Sequence, residues 1–555
     1  MKPVTRTISR GSSIAAAVAF LLTTPCFASF SGTAADKAGQ PLTDCRVQSG
    51  NHSGLTGPDG SFDLATPGGE KDKPLQIHCP GYAPRFIESG GETAFGDITL
   101  QRPNFILLLS DDQGWVQTST QMDPEDPTTR SDFFRTPNID SFFEGGMRFV
   151  RGYSPGTYCM PTRRAIQVGQ STLKHAFNGR PVPEWTGQYL DLVTIPRVLK
   201  AADPDYRAAH FGKWDLRFDH PHPAALGYDE SDGPTGNGEG NRDAVVDGKL
   251  DKFTVRPSED PKNIFDLTRR GSTFMEEQVA AGRPFYLQLS HYALHLSIFY
   301  RQETYDRVSE WPTGEKHYIP SFAAMLKDMD DGFGQLFDKV RELGIEDHTY
   351  IIYMGDNGGR PFLNLSDGSS RERRNEPLSE GKHSIYEGGI RVPFGITGPG
   401  IEPGSVTRTS VSGMDILPTI AGLVDSDLEF SNIDGGSLEK LIYRQSDTVE
   451  RPYPFMVFHD KSGTPRHGED ENTDSETAIM QGDYKLIKTW HEGALHNTEL
   501  YNIRKDPGEA NDLAGSMPDL AAGLGKMLDD YIAQAGGDVT IDHDDWPPKP
   551  KKKGK

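Results

Sequence analysis

Two apolar runs in this chain end in paired polar side chains, and that repetition limits the fold more than any other feature. In RPNFILLLSDDQGW, residues 102–115, the run Phe105–Leu109 is followed by Asp111 and Asp112; in TYIIYMGDNGG, residues 349–359, Ile351–Met354 is followed by Asp356 and Asn357. An unbroken apolar run marks a strand buried on both faces, as in a parallel sheet covered by helices. Ligands of open α/β sheets gather outside the carboxyl ends of the strands, so both polar pairs are expected at one crevice. Three carboxylates and an amide oxygen, with no thiolate or imidazole among them, suit a hard divalent cation, Ca²⁺ ahead of Mg²⁺. Taken singly, each pair reads equally well as turn residues after a strand. Two such pairs, in this order around the string CMPTR at 159–163, argue for a site.

From residue 102 onward apolar strands alternate with helix-like stretches, the pattern of βαβ units. The helical candidates are Thr136–Glu144, Ile195–Ala202, Phe265–Ala281, Phe322–Leu343 and Met414–Leu423. The Gly-, Asp- and Asn-rich segment 226–262 is too long and polar for a simple connection and is expected to be a functional surface loop or lid. After about residue 450, PFMVFH, AIMQGDYKLIKTW and LHNTELYNI read as antiparallel strands, followed by a helix over Met517–Ala535. Residues 30–100 stand apart: short β-prone pieces alternate with Gly, Pro and Asp turns, which predicts a small all-β domain.

The chain has 555 residues, 35% hydrophobic and 25% charged, which is enough for more than one domain with a large core. Lys2, Arg6 and Arg10 precede the apolar run Ile14–Leu22, and Cys26-Phe27-Ala28 offers a small-residue cleavage site. This reads as a signal peptide over residues 1–28, since the run is too short to span a bilayer. Pro25 before Cys26 fits a lipidation site poorly. No later stretch approaches transmembrane length, so a periplasmic or secreted protein without a transmembrane anchor is expected. Three cysteines remain beyond the leader, Cys45, Cys79 and Cys159, an odd number for an oxidising compartment. If Cys45 and Cys79 form a disulfide, Cys159 is left over; three free buried thiols are the alternative. The net charge of -22 sets general repulsion against an anionic substrate, relieved by salt and by cations concentrated at the site. No nucleic-acid partner is expected, and the basic tail within 541–555 reads as disordered.

CMPTR resembles the C-x-P-x-R signature of the type I, formylglycine-dependent sulfatases of the alkaline phosphatase superfamily. HFGKWDL (210–216) is similar to that family's G-K-W-H-L-G, and GKHSIYEGGIRVPFGITGPG (381–400) to its G-K-x-x-x-Y-E-G-G-x-R-V-P segment. In FYLQLSHYALHLSIF (285–299) His295 holds the position of the family's sulfate-binding histidine, with Ser297 where the family has Pro. ELYNIRKDPGEANDLA (499–514) resembles the sulfatase C-terminal subdomain. The resemblance implies an α/β alkaline-phosphatase-like sandwich with a central mixed sheet over 102–450 and a small C-terminal antiparallel α+β subdomain over 451–540. Residues 30–100, with D-x-x-G-x-P-L, T-G-P-D-G-S-F-D-L and H-C-P-G-Y, resemble the carboxypeptidase regulatory-like β-sandwich.

The resemblance also assigns roles. Cys159 is oxidised to formylglycine (3-oxoalanine) by a formylglycine-generating enzyme, and a hydroxyl of the hydrated aldehyde attacks sulfur. Asp111, Asp112, Asp356 and Asn357 hold the cation; Lys213 and Lys382 meet the sulfate oxygens; Arg163 braces formylglycine and the metal carboxylates. His295 is the expected general acid. Where the family pattern has a histidine two residues after the GKW lysine, this chain has Asp215, so either that carboxylate or His220 or His222 takes the role. His291, Arg371, Arg373 and Arg374 are weaker candidates for substrate contacts. The leading expectation is a sulfatase acting on a sulfated carbohydrate. A phosphoester or phosphonate hydrolase on the same scaffold, and a non-catalytic sulfated-glycan binder, are the alternatives.

Overall fold

The computed structural model describes residues 27–67, 72–175, 189–216, 221–246, 249–250, 253–361, 374–460, 475–491 and 494–535. The two apolar runs form neighbouring strands, Asn104–Ser110 and Thr349–Gly355, every residue of which is buried. They pair in parallel near the middle of an eight-stranded sheet. On one side follow Phe285–Ser290, Arg207–Gly212 and Glu230–Ser231, all parallel. On the other side lie Phe394–Thr397 and Met147–Phe149, each antiparallel to its predecessor, and then Ser405–Thr407, so the sheet is mixed.

Side chains alternate across the strands, and each face has its own helical cover. Ile106, Leu108, Leu287 and Leu289 pack with Leu267 and Met275 of the helix Ile264–Ala281 and with Phe322 and Met329 of Pro320–Glu342. Phe105, Leu107, Leu109 and Met354 face Ile166, Val198, Leu199, Ile416 and Ile420, from the helices Cys159–Val168, Ile195–Ala202 and Ile416–Leu423. Each fully buried Leu or Ile contributes about 1.5–3 kcal/mol relative to exposure, which is why both faces had to read as apolar.

The helices lie close to their expected positions, except that Met414 belongs to a short 3₁₀ turn, Gly413–Asp415, before Ile416–Leu423. Ser412 and Asp415 form a reciprocal capping box at that turn. The helix Cys159–Val168 was not among the helical candidates. Its ten residues carry Pro161, which is tolerated because it stands in the first turn, where its missing N–H has no intrahelical acceptor.

After residue 450, Met456–Asp460, Ser475–Gln481, Tyr484–His491 and Ala494–Asn502 form a four-stranded antiparallel sheet. The helix Pro518–Ala535 lays Leu524, Leu528 and Tyr531 on Val457, Ile479, Leu486 and Leu500 of that sheet. This sheet and the α/β body fall into one compact unit, residues 78–85 and 100 onward. The other unit ends at residue 77 and resumes over 86–99. It is β-rich: Phe27–Ala35 pairs with Ser61–Pro67 and Ala94–Thr99, and Arg46–Ser49 with His52–Leu55. Cys45 and Cys79 are joined in a disulfide. The expected leader lies on residues outside those described, apart from Phe27 and Ala28, which open a strand; the expected basic tail is also outside them.

Candidate active site

The register of the sheet places the site. Gly355 pairs with Ser110, Ser290 with Leu109, and Gly212 with Ser290, so four parallel strands end level. The residues that follow, Asp111, Asp356, His291 and Lys213, therefore emerge side by side. Gly212 is required there: its φ is +96°, and a Cβ would lie 2.1 Å from the Ser290 carbonyl oxygen. Asp112 adopts φ +58°, a conformation aspartate tolerates better than most residues, and its N–H donates to Asp356 Oδ1 at 3.1 Å.

Cys159 opens a helix with Tyr158 as its N-cap, and its Sγ lies 3.4 Å from Asp111 Oδ1 and 3.4 Å from Lys382 Nζ. Arg163 is one turn further on the same face. Its Nε donates to Asp356 Oδ2 at 2.9 Å, its Nη2 lies 2.8 Å from the same oxygen as an ion pair, and its Nη1 donates to the Lys213 carbonyl. The four-residue spacing of Cys and Arg thus joins the thiol position to a carboxylate on a neighbouring strand end. Lys213 Nζ is 2.6 Å from Asp111 Oδ2 and 3.6 Å from Asp215 Oδ2. Lys382 Nζ donates to Asp112 Oδ1, which also accepts from Asn357 Nδ2 at 3.0 Å.

The electrostatics follow from burial opposed by pairing. Burial alone would raise Asp112, yet Lys382, His295 and Arg360 hold it well below the usual carboxylate range. Asp111 is lowered in the same way, chiefly by Lys213. Asp356 goes the other way, pushed up to about 6 by burial and Asp111 against the pull of Arg163. Burial and Asp111 push the Cys159 thiol up to about 12, so it is protonated and a poor nucleophile as a thiol.

The oxygens fit a cation. One ligand atom each from Asp111, Asp112, Cys159 and Asp356 lies within 4.8 Å of all the others. Asp112 Oδ2 and Asn357 Oδ1 are buried and accept no hydrogen bond. Buried acceptors in that condition are costly unless something positive meets them, and oxygen donors of this kind suit a hard divalent ion.

Cys159, Lys382, His295 and Asp215 line a cavity of about 350 Å³. Tyr158, Asn237, Asn241, Phe253, Arg360 and His383 complete much of its wall. None of these six was picked out from the sequence, although Arg360 directly follows the TYIIYMGDNGG string and three belong to the polar segment 226–262. Three weaker candidates do not line the cavity. His291 is fully buried with its ring edge-on to Phe333, and burial pulls it down to about 3. Arg374 is buried over the Phe322 ring, and His222 is exposed ahead of a 3₁₀ turn. His220, Arg371 and Arg373 lie outside the described residues.

A family profile described as Sulfatase matches residues 103–426, more than half of the chain. The chain belongs to the sulfatase family. As such it is a sulfuric ester hydrolase, and the profile described as N-sulphoglucosamine sulphohydrolase, C-terminal, matches residues 380–534. It is similar to arylsulfatase A of Homo sapiens, 28% identical over 81% of this chain and 91% of that protein. A sulfatase of Formosa agariphila is 24% identical over 80% of this chain and 90% of the relative. Among solved structures, Ps i-CgsB superposes with a TM-score of 0.61 at 24% identity, covering 80% of this chain and 95% of that one. A second structure of that protein holds k-i-k-neocarrahexaose and superposes with a TM-score of 0.60 at 23% identity over 80% and 95% of the two chains. At these identities the structures establish the fold, an alkaline-phosphatase-like α/β architecture.

Proposed function

We propose that this chain is an exported enzyme that removes sulfate from a carbohydrate, with formylglycine made from Cys159 as its nucleophile and Ca²⁺ as its cation. The observation that carries the reading is the placement of Cys159: a thiol that burial keeps protonated, held among three carboxylates and two lysines in the wall of a cavity. Its Sγ marks where the aldehyde oxygens would sit. The hydrated aldehyde supplies one hydroxyl to attack sulfur and a second whose deprotonation lets sulfate leave and restores the aldehyde. Asp111, Asp112, Asp356 and Asn357 would hold the cation, which lowers the pKa of the attacking hydroxyl and draws charge from a sulfate oxygen.

The side chains divide the remaining work. Lys382 lines the cavity and Lys213 lies beneath it, cations preorganised for the equatorial sulfate oxygens. Arg163 keeps Asp356 ionised and fixed. His295 donates Nδ1–H to the Leu296 carbonyl at 2.6 Å, which turns Nε2 toward the site, 4.0 Å from Asp112 Oδ2. Burial and Lys382 hold the ring down to about 3, and an anionic ester beside it raises its proton affinity, so the ring takes up from solvent, on substrate binding, the proton it gives to the leaving oxygen. Asp215, lining the cavity at φ +49°, is the base assigned to the second hydroxyl.

The similarity to a protein solved with a neocarrahexaose, together with the signal-peptide pattern and with Asn237, Asn241 and Arg360 among the residues that line the cavity, supports an oligosaccharide from a sulfated polysaccharide as substrate. The 30–100 segment is assigned as a carboxypeptidase regulatory-like accessory domain. The test is paired turnover of matched sulfate, phosphate and phosphonate esters, with sulfate release measured across defined sulfated oligosaccharides. Release of sulfate from at least one oligosaccharide, with sulfate esters turned over well ahead of phosphate esters, is expected. A preference for phosphate or phosphonate esters would contradict the reading, as would sugar binding without turnover by protein converted at Cys159.

A further inference from the structure

We propose that Asn241, braced by Lys262, is a positioning residue that sets the ring of His295; this rests on the reading of His295 as the proton donor in sulfate-ester hydrolysis. The Leu296 carbonyl that accepts His295 Nδ1–H also accepts Asn241 Nδ2 at 3.2 Å. The next N–H along the chain, that of Ser297, donates to Asn241 Oδ1 at 3.1 Å. One amide side chain therefore grips both polar groups of the peptide between residues 296 and 297. Lys262 Nζ donates to the same Oδ1, and its ammonium lies 5.0 Å from the Phe299 ring. Asn241, Lys262 and Ser297 are all buried.

Both clamp residues come from the polar segment ending at 262, outside every string that resembles the sulfatases. The clamp accounts for a departure within such a string. Position 297 is Ser where the family pattern has Pro, and proline has no N–H to give Asn241. The segment is tied to itself at the same place, since Asn263 Nδ2 donates to the Glu239 carbonyl at 3.2 Å. The turns Glu239–Ala244 and Pro261–Asn263 thus hold Asn241 and Lys262 against the His295 strand end.

The position of a general acid matters in proportion to how badly the leaving group needs its proton. The test compares 4-nitrophenyl sulfate, whose phenol leaves readily, with phenyl sulfate, whose phenol does not. Asn241→Ala is expected to lower kcat for phenyl sulfate at least about tenfold, part of the 10²–10⁴ a positioned acid supplies, with a loss below about threefold for 4-nitrophenyl sulfate and KM little changed. His295→Ala is expected to show the same pattern more strongly, and adding Asn241→Ala to it to cost nothing further. Asn241→Asp, isosteric and still an acceptor for Ser297 and Lys262, is expected to fall between wild type and Asn241→Ala, and carries the comparison if the alanine variant does not fold. Equal losses on both esters, or losses that add to those of His295→Ala, would overturn the proposal and leave the sulfatase reading standing. Crystal structures decide it independently of turnover: the His295 ring is expected to leave the Leu296 carbonyl in Asn241→Ala, and an unmoved ring would overturn the clamp. A wild-type protein releasing sulfate from no ester would instead end the sulfatase reading.

Discussion

Asp112 shows how one side chain is asked to satisfy several demands. Its backbone N–H binds Asp356, its Oδ1 takes hydrogen bonds from Asn357 and Lys382, and its Oδ2 has no hydrogen-bond partner. Arg163, Lys213 and Lys382 already offset part of the repulsion among these close carboxylates, and the proposed cation is expected to offset more and so to stabilise the folded chain as well as the reaction. Treatment with EDTA is expected to abolish turnover and lower Tm, and Ca²⁺ to restore both. At a hundred times its Kd the ion adds about 2.7 kcal/mol to stability. Calorimetry with and without Ca²⁺ checks this, and Asp112→Ala and Asp356→Ala are expected to remove the Ca²⁺-dependent shift; a shift that survives both would place the ion elsewhere. The residues proposed as ligands were legible in the sequence because each polar pair follows an apolar strand directly. Arg360 and Asn241 were not, since one follows a turn and the other sits in a polar segment without periodicity, and neither carries a local signal of what it faces.

At the scale of elements, the segment that carries Lys382 is pinned by the C-terminal sheet. Glu509 Oε2 accepts from the Ser379 hydroxyl and the Glu387 N–H at 2.8 and 2.7 Å, while Lys485 Nζ bridges Glu509 and Glu387 at 2.8 and 3.1 Å. The D-P-x-E string, read only as resemblance, acquires here a physical reason: its Glu509 anchors the segment that carries Lys382. The same sheet holds one titrating carboxyl, Glu476, which stands opposite Asp460 across neighbouring strands. Burial, then Asp460, pushes Glu476 from its ordinary 4.5 up to about 8. A carboxyl raised on folding contributes stability that is complete below its unfolded pKa and lost as pH rises through the folded one. Wild type is therefore expected to lose stability relative to Glu476→Gln between about pH 4.5 and pH 8, by at most about 1.4 kcal/mol per pH unit. Urea midpoints at about pH 5 and about pH 9 check the sign; parallel behaviour of the two proteins would contradict it. Helices with an apolar face were read to within about two residues. Cys159–Val168 escaped because polar Thr162, Arg163, Arg164 and Gln167 are buried in it, where a reading of the sequence expects such residues to face solvent.

For the whole molecule, the fold class followed from strands hydrophobic on both faces, whereas the sheet order did not, because strand order is set by packing between distant segments. The hydrogen bonds between the α/β body and the C-terminal part were also invisible in a reading that separated them at 450. A chain ending at Glu450 loses Lys485 and Glu509 and leaves Glu387 buried beside Tyr153 and Arg391 alone. It is expected to lack near-ultraviolet dichroism and to give no cooperative urea transition, and a cooperative transition would show the body to be independent. The claim on which the chemistry turns is the state of Cys159, and peptide mass spectrometry of active protein reads it directly. The account predicts that the peptide containing Met160–Arg163 carries an aldehyde in place of the thiol, in a fraction that scales with sulfate-releasing activity across preparations. Full activity from protein whose Cys159 is wholly an unmodified thiol would contradict it.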